Sequence, residues 1–264
     1  MKYRTIFSVV NEHTASTVTA RYAIALAAAG GAELVLYSAH AEGTDEELLR
    51  HTDRHLDHLF TVAFDLDIHV TRITEAGPIT RLLPERVQAE NADLVFYPLT
   101  PHEQYGATLQ RDNVHQLLRT IRPDLAIMRV VHMGRLHPRH ILVPLGETIS
   151  DMHKRLSFIS ALATAFHSSV TLFHRPGSNK MSAMPEDINH FKEGLHRHHI
   201  EILERSGNGH IGKSITVEAI TRHNDLIVLG ASERSTLRRL FIGNPAGDVM
   251  HKPPCNVVLF RASR

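Results

Sequence analysis

Short apolar segments alternate with longer segments of helical periodicity along the whole chain. Helical patterns such as Thr14 to Ala29 and Thr44 to Leu66 lie between apolar runs rich in β-branched residues. This alternation is typical of βαβ units and predicts parallel sheets. The predicted strands are Thr5–Val10, Glu33–Ser38, Ile68–Ile73, Leu94–Tyr97 and Leu125–Val130, then Ile141–Leu145, Val170–His174, Ile200–Glu204, Leu226–Leu229 and Asn256–Phe260.

The two halves of the chain carry the same landmarks in the same order. The segment from Thr5 to Val10 recurs from His140 to Leu145, and the segment from Ala92 to Tyr97 recurs from Asn224 to Leu229. Such self-similarity at a nearly constant offset indicates an internal duplication. We therefore predict two doubly wound, parallel, five-stranded, Rossmann-like sheets in tandem, over residues 1–133 and 138–264, with a linker around 132–139.

The composition is that of an ordinary folded protein and excludes several classes. Hydrophobic residues make up 42% and charged residues 22% of the 264 positions, which is far from the composition of disordered chains. The net charge of +1 provides no field for recruiting nucleic acid or an anionic membrane. The single cysteine, Cys255, and an N-terminus without a signal-peptide pattern predict a reducing, cytoplasmic location.

Three stretches near the end of the chain carry a resemblance to a known family. They are Asp225–Gly230, Arg234–Asn244 and the Pro-Cys segment Val249–Val258. In this order they resemble the universal stress protein family, and the whole chain looks like a tandem pair of such domains. The resemblance implies an adenine nucleotide alpha hydrolase-like fold and a role in stress sensing or signalling.

In nucleotide-binding members of that family, this stretch reads Gly, two residues, Gly, nine residues, Gly, then Ser or Thr, and it holds ATP phosphates. Gly230 and Gly243 match at the family spacing, whereas Glu233 replaces the second glycine and Asn244 the Ser or Thr. The resemblance implies ATP or another adenine nucleotide as ligand, with Mg²⁺ open. The predicted nucleotide-binding residues are Pro144, Leu145, Gly146, Gly230, Arg234, Gly243, Asn244 and Ala246.

The residue types of this loop also have a physical interpretation. Asn244 followed by Pro245 is a good helix start, and free amide groups such as that of Ala246 attract phosphate there. Arg234 could add a charge-assisted contact, while Glu233 adds bulk and negative charge that oppose binding. Two interpretations stay open: a nucleotide or phosphate site, and a capped helix that packs on the sheet.

The first half departs further from the family pattern. Pro98 stands in place of the leading glycine, and Gly106 is alone in the long segment that follows. The acidic residue that the family places after its first strand falls at Asn11 in the first half and Gly146 in the second. We therefore predict that the first half is degenerate and binds no nucleotide.

A second phosphate motif competes with this assignment. The stretch from Gly207 to Ser214 matches the P-loop pattern G-x-x-x-x-G-K-[ST], with Lys213 as its lysine. No aspartate suited to Mg²⁺ follows the next strand, which ends in Gly230. A turn before a helix is the favoured interpretation, and a weak ATPase remains an alternative.

Histidine is abundant, with 21 residues. His51, His55 and His58 share one helical face and are candidate metal ligands, although a solvated face explains them more simply. A pH-responsive surface is a further alternative. We expect no metal, and we expect Cys255 to pack as a small buried side chain.

These observations together predict a tandem universal stress protein whose second half binds an adenine nucleotide. Pairing of the two last strands, Leu125–Val130 and Asn256–Phe260, would remove two open sheet edges and produce an intramolecular pseudo-dimer. A homodimer is also open, whereas nucleic-acid and membrane partners are not expected. A scaffold without nucleotide and a weak ATPase are the alternative functions.

Overall fold

The computed structural model describes residues 2–99, 108–146, 149–174, 186–206, 210–231, 249–250 and 252–263. The chain divides into two compact units. The first unit contains residues 2–136 together with 261–264, and the second unit contains residues 137–260. Each unit is an α/β structure built on a parallel sheet.

The helices and strands alternate along the described chain, as the hydrophobic pattern predicts. In the first half they are β1 Thr5–Val9, α1 Thr14–Gly30, β2 Glu33–His40, α2 Glu46–Phe64, β3 Val70–Ala76, α3 Ile79–Ala89, β4 Leu94–Pro98, α4 Thr108–Thr120 and β5 Asp124–Arg129. In the second half they are β6 His140–Leu145, α5 Met152–Phe166, β7 Ser169–His174, α6 Glu186–His196, β8 Ile202–Ser206, α7 Ile211–Thr221, β9 Leu226–Gly230 and β10 Asn256–Arg261.

Both units have the same strand order. It is β3-β2-β1-β4-β5 in the first unit and β8-β7-β6-β9-β10 in the second, and the neighbouring strands run parallel. The predicted doubly wound α/β fold is confirmed. Because the connections change direction beside β1 and β6, a crevice is expected at the carboxyl ends of β1 and β4, and another at those of β6 and β9.

One aspartate in each unit connects the start of its first strand to the strand beside it. Asp225 Oδ2 accepts hydrogen bonds from the backbone amides of Arg139, at 2.9 Å, and His140, at 3.2 Å. In the first unit, Asp93 Oδ2 accepts from the amides of Arg4 and Thr5 at 2.7 and 3.2 Å. The carboxylate satisfies the amides of the first strand residue and of the residue before it, so both units share a backbone-anchoring contact as well as the apolar pattern.

Several histidines of the second unit end its helices. His167, His199 and His223 have positive φ values of 53°, 57° and 53°. The amide after His167 donates to the carbonyl of Ala163 at 2.9 Å, and the amide after His223 donates to that of Ala219 at 2.9 Å, as in a Schellman C-cap. Gly31, Asp67 and Asn91 hold equivalent positions in the first unit. These three histidines therefore have a structural role in left-handed caps.

The strands β3 and β8 begin two residues later than the hydrophobic pattern predicts. Ile68 and Ile200, the predicted first residues, each have an exposed fraction of 7%. Their amides donate back into the preceding helices, to the carbonyls of Ala63 and Leu195 at 3.1 and 3.4 Å. Both isoleucines therefore belong to the helix terminus, where a buried apolar residue commonly follows the left-handed cap.

The central strands are apolar because helices cover both faces of a parallel sheet. Residues Leu226 to Leu229 of β9 have exposed fractions between 0% and 4%. Phe158 of α5 stacks on Phe260 of β10 with ring centroids 4.3 Å apart. Among the helices in the described part of the chain, none has the length and apolar character required to span a bilayer.

The first unit contains a polar network at the ends of β2 and β3. Tyr37 donates to Glu75 Oε2 at 2.9 Å, and Arg86 of α3 donates to Glu75 Oε1 at 2.6 Å. The hydrogen bond from Arg86 holds the pKa of Glu75 below its usual value, with a further contribution from Tyr37. Burial, followed by the bond to Glu75, raises the pKa of Tyr37. The network stabilises the ionised form of Glu75.

We predict that Asp225→Ala destabilises the second unit by about 1–2 kcal/mol, because two backbone amides lose a charged acceptor at a partly exposed site. Asp225→Asn retains one acceptor oxygen and should lose less. Urea unfolding monitored by circular dichroism measures both effects. Equal stability of wild type and Asp225→Ala would show that solvent replaces the carboxylate without cost.

We predict that Glu75→Gln reduces the acid sensitivity of the protein. A carboxyl group whose pKa is lower in the folded state stabilises that state above its unfolded pKa, and this contribution disappears as the pH falls through the folded pKa. Wild type should therefore lose more stability than Glu75→Gln between pH 6 and pH 3 in urea titrations. The exposed Glu42→Gln serves as control, and an identical pH dependence of all three proteins would contradict the prediction.

Candidate functional site

The crevice that the topology predicts for the second unit lies at the carboxyl ends of β6 and β9. Ile141 and Leu142 of β6 pair with Leu226 and Ile227 of β9, so continuing this register places the ends of both strands at one level. Of the predicted nucleotide-binding residues, this edge contains Pro144, Leu145, Gly146 and Gly230. The other four, Arg234, Gly243, Asn244 and Ala246, lie outside the described residues, as does Glu233. Their assignment stays a prediction.

The crevice contains a buried cation that the sequence analysis did not identify as part of the site. Arg155, in the first turn of α5, has an exposed fraction of 8%. Its Nη2 atom donates to the backbone carbonyl of Pro144 at 2.9 Å. Its Nε atom is buried and has no hydrogen-bond partner among the residues that the structure describes. Within this part of the chain, one neutral carbonyl is thus the acceptor of a guanidinium that has five N–H groups.

Gly230 provides the space for this guanidinium. A Cβ atom built at position 230 would lie 2.6 Å from Cζ and 2.7 Å from Nη1 of Arg155. Distances of this kind are well below van der Waals contact, so any side chain here would have to displace the arginine. A glycine at the end of β9 therefore leaves the space that the guanidinium of Arg155 occupies, independently of any ligand.

The electrostatic state of Arg155 is unusual for a buried group. Burial lowers the pKa of Arg155 to about 10, and it is the sole cause of the shift within the described surroundings. The side chain therefore remains positively charged at neutral pH. An unpaired buried charge costs on the order of several kcal/mol, which a bound counter-ion would recover.

A second polar atom without a partner lies at the same level of the sheet. His174 is the last residue of β7 and pairs in register with Leu145 of β6. Its Nδ1 atom is buried and has no hydrogen-bond partner in the described ranges of the chain. The ends of β6, β7 and β9 thus combine an arginine and a histidine whose hydrogen-bonding capacity is not fully used.

A signal for Arg155 exists in the sequence. Arg155, Ile159, Leu162 and Phe166 recur at helical spacing, and the three apolar members are buried with exposed fractions of 0–9%. The pattern places a basic side chain on the apolar face of α5, in its first turn, just after the first strand of a doubly wound unit. Basic residues on apolar helix faces are rare unless they are paired, so this pattern indicates a position with a special role.

At the equivalent edge of the first unit, Asn11 follows β1 and forms several hydrogen bonds within the protein. Asn11 Oδ1 accepts from the amide of His13 at 3.0 Å, and the Asn11 amide donates to Ser16 Oγ at 3.1 Å. The ring nitrogen Nδ1 of His55 lies 2.8 Å from the Asn11 carbonyl oxygen. The backbone N–H, the carbonyl and the side-chain oxygen of Asn11 therefore have partners within the protein.

The three histidines of α2 do not come together as a metal site. His55 contacts the carbonyl of Asn11, and His58 Nε2 lies 3.0 Å from Nη2 of Arg21. No group of three or more metal-ligating side chains occurs in the described ranges of the chain, so His51, His55 and His58 have no further ligands there. Cys255 is buried, as expected of a small packing residue.

The P-loop-like stretch is described only in its last part. Residues 207–209 lie outside the described residues, and α7 begins at Ile211 with Lys213 exposed in its first turn. Ser214 Oγ donates to the carbonyl of His210 at 3.1 Å. This bond is an ordinary one within a helix turn, which agrees with the interpretation of a turn before a helix.

Comparisons with solved structures show the fold of the whole chain. A universal stress protein from Archaeoglobus fulgidus DSM 4304 matches with a TM-score of 0.66 and 11% identity, over 98% of this chain and 96% of that chain. A putative universal stress protein from Pseudomonas aeruginosa UCBPP-PA14 matches with a TM-score of 0.65 and 15% identity, over 98% and 93%. A universal stress protein in complex with cAMP matches with a TM-score of 0.38 and 18% identity, over 51% and 100%.

A family model matches the second half of the sequence. No curated protein matches the chain. The model of the Universal stress protein family matches residues 138–261. That the chain belongs to this family is a prediction, which rests for the first half on its identical strand order and on the shared landmarks. The matched segment, 138–261, includes Arg155 and the carboxyl ends of β6 and β9.

Proposed function

We propose that the chain is a stress-response protein whose second unit binds an adenine nucleotide at the carboxyl ends of β6 and β9. The nucleotide would lie against Pro144 to Gly146 and Gly230, and its phosphates would reach the predicted helix start at Asn244. The observation that carries the proposal is the position of Gly230 and the charged Arg155 at the crevice of the family domain. Ligands of open α/β sheets bind at this place.

The cation favours a phosphate-bearing ligand over a neutral one. A positively charged guanidinium with unused N–H groups recognises phosphate oxygens by charge-assisted hydrogen bonds. The first unit offers a contrast, because Pro98 ends β4 where Gly230 ends β9, and Asn11 is hydrogen-bonded internally. We therefore assign the nucleotide to the second unit alone, with one nucleotide for each chain.

A scaffold without nucleotide is the second candidate function. The observation in its favour is that the guanidinium of Arg155 lies where a ligand would approach the backbone of Gly230. Glu233, a negative residue at a family glycine position, and Gly146, at the family's acidic position, favour it as well. In this case the fold would present surfaces to other proteins, and Arg155 would remain as it is in the free protein.

Native mass spectrometry of the purified chain distinguishes the two functions. A co-purifying mass of one adenine nucleotide supports the proposed function. Absence of such a mass, together with no thermal shift at millimolar ATP with or without Mg²⁺, would establish the scaffold. Hydrolysis of ATP that disappears in Lys213→Ala would instead favour the P-loop interpretation.

We predict that Gly243→Asp abolishes the stabilisation by ATP, because a carboxylate beside the phosphates adds repulsion and bulk. Differential scanning fluorimetry at 1–5 mM ATP, about the level at which weak binders saturate, measures the effect. Lys213→Ala is the matched control for the competing motif and should respond to ATP as wild type does. Unchanged ATP affinity in Gly243→Asp would remove Gly243 from the site.

A further inference from the structure

The charge of Arg155 is not balanced within the part of the chain that the structure describes. Its guanidinium has one acceptor, the carbonyl of Pro144, and its Nε atom is buried without a partner. Burial alone accounts for its lowered pKa, so no described carboxylate lies near enough to shift it. Such a cation has no counter-ion among the described residues, and proteins retain a group of this kind where a ligand supplies the anion.

The guanidinium of Arg155 contacts the ends of two strands. It packs against the backbone at the end of β9, where Gly230 leaves space, and it donates to the carbonyl of Pro144 at the end of β6. Both anchors belong to the strands between which the connections change direction. The side chain is therefore fixed by packing before any ligand arrives, which reduces the entropic cost of binding.

Arg155 and Gly230 of the second unit are both replaced by other residue types at the equivalent positions of the first unit. Aligning the left-handed caps Gly31 and His167 places Arg155 opposite Thr19 of α1. Thr19 is fully buried and donates to the carbonyl of Ala15 at 2.8 Å, so it needs no partner from outside. Pro98 stands opposite Gly230. The unit that has the cation thus also has the glycine that makes room for it.

We propose that Arg155 is the anion-binding side chain of the second unit and takes one phosphate group, either free or as part of a nucleotide, at the carboxyl ends of β6 and β9. The phosphate oxygens accept hydrogen bonds from the N–H groups that Pro144 does not use. His174, whose buried Nδ1 has no partner, is placed one strand away at the same level. For the nucleotide this inference rests on the proposed function, but for free phosphate it stands independently.

An anion-binding role and a purely structural role of Arg155 predict different stabilities for the ligand-free protein. If the arginine served to hold the Pro144 carbonyl, replacing it by an apolar residue would destabilise the free protein. If it awaits an anion, Arg155→Leu removes an unpaired buried charge, and the free protein should be at least as stable as wild type. The change in the thermal midpoint that Arg155→Leu causes without ligand therefore distinguishes the two roles: a decrease indicates the structural role, and no decrease indicates the anion-binding role.

The test is isothermal titration of the full-length chain with inorganic phosphate, and separately with ATP, at pH 7.5 and constant ionic strength. Arg155→Gln retains an amide donor for Pro144 and loses the charge. It should bind both ligands at least tenfold more weakly than wild type. Arg222→Gln removes the same charge from an exposed position on the second unit, where the side chain is 54% exposed, and should bind as wild type does.

The outcomes distinguish this inference from the proposed function. Equal phosphate and ATP affinities in wild type and Arg155→Gln would overturn the inference and leave nucleotide binding intact. Phosphate binding that depends on Arg155, without ATP binding, would support the inference and overturn the proposed nucleotide. Binding of neither ligand to wild type, or a lower thermal midpoint of ligand-free Arg155→Leu, would overturn the inference.

Discussion

The parallel pairing of fully buried strands is the constraint on which the rest of this structure depends. Strands that are covered by helices on both faces must be apolar along their length, as β9 is. Parallel strands also bring their carboxyl ends to one edge of the sheet, so polar groups collect there and not in the core. The crevice beside β6 exists because the chain continues on one side of this strand and then returns to the other.

The two units differ in the polar groups that lie at the carboxyl edge of their sheets. In the first unit, Asn11 after β1 forms hydrogen bonds with His13 and Ser16. In the second unit, a charged guanidinium lies at the equivalent edge and donates to one neutral acceptor among the described residues. The same fold therefore carries different polar groups at this edge in its two copies.

The abundance of histidine has a partly structural explanation. His167, His199 and His223 end helices in the left-handed conformation, where the first unit has glycine, aspartate and asparagine. Histidine is enriched among non-glycine residues in this conformation. His55 and His58 contact neighbouring groups of the first unit. Backbone geometry and local contacts therefore account for the positions of these five histidines.

The sequence by itself determined the ten strands of the described chain and their order, because periodicity and duplication are local and repeated signals. The same signals misplaced the starts of β3 and β8, since an apolar residue that caps a helix is indistinguishable from the first residue of a buried strand. Gly230 was recognised from its spacing, whereas the reason for a glycine there was decided by the tertiary structure. Only folding brings Arg155, which lies 75 positions earlier, against that backbone, because β9 pairs beside β6.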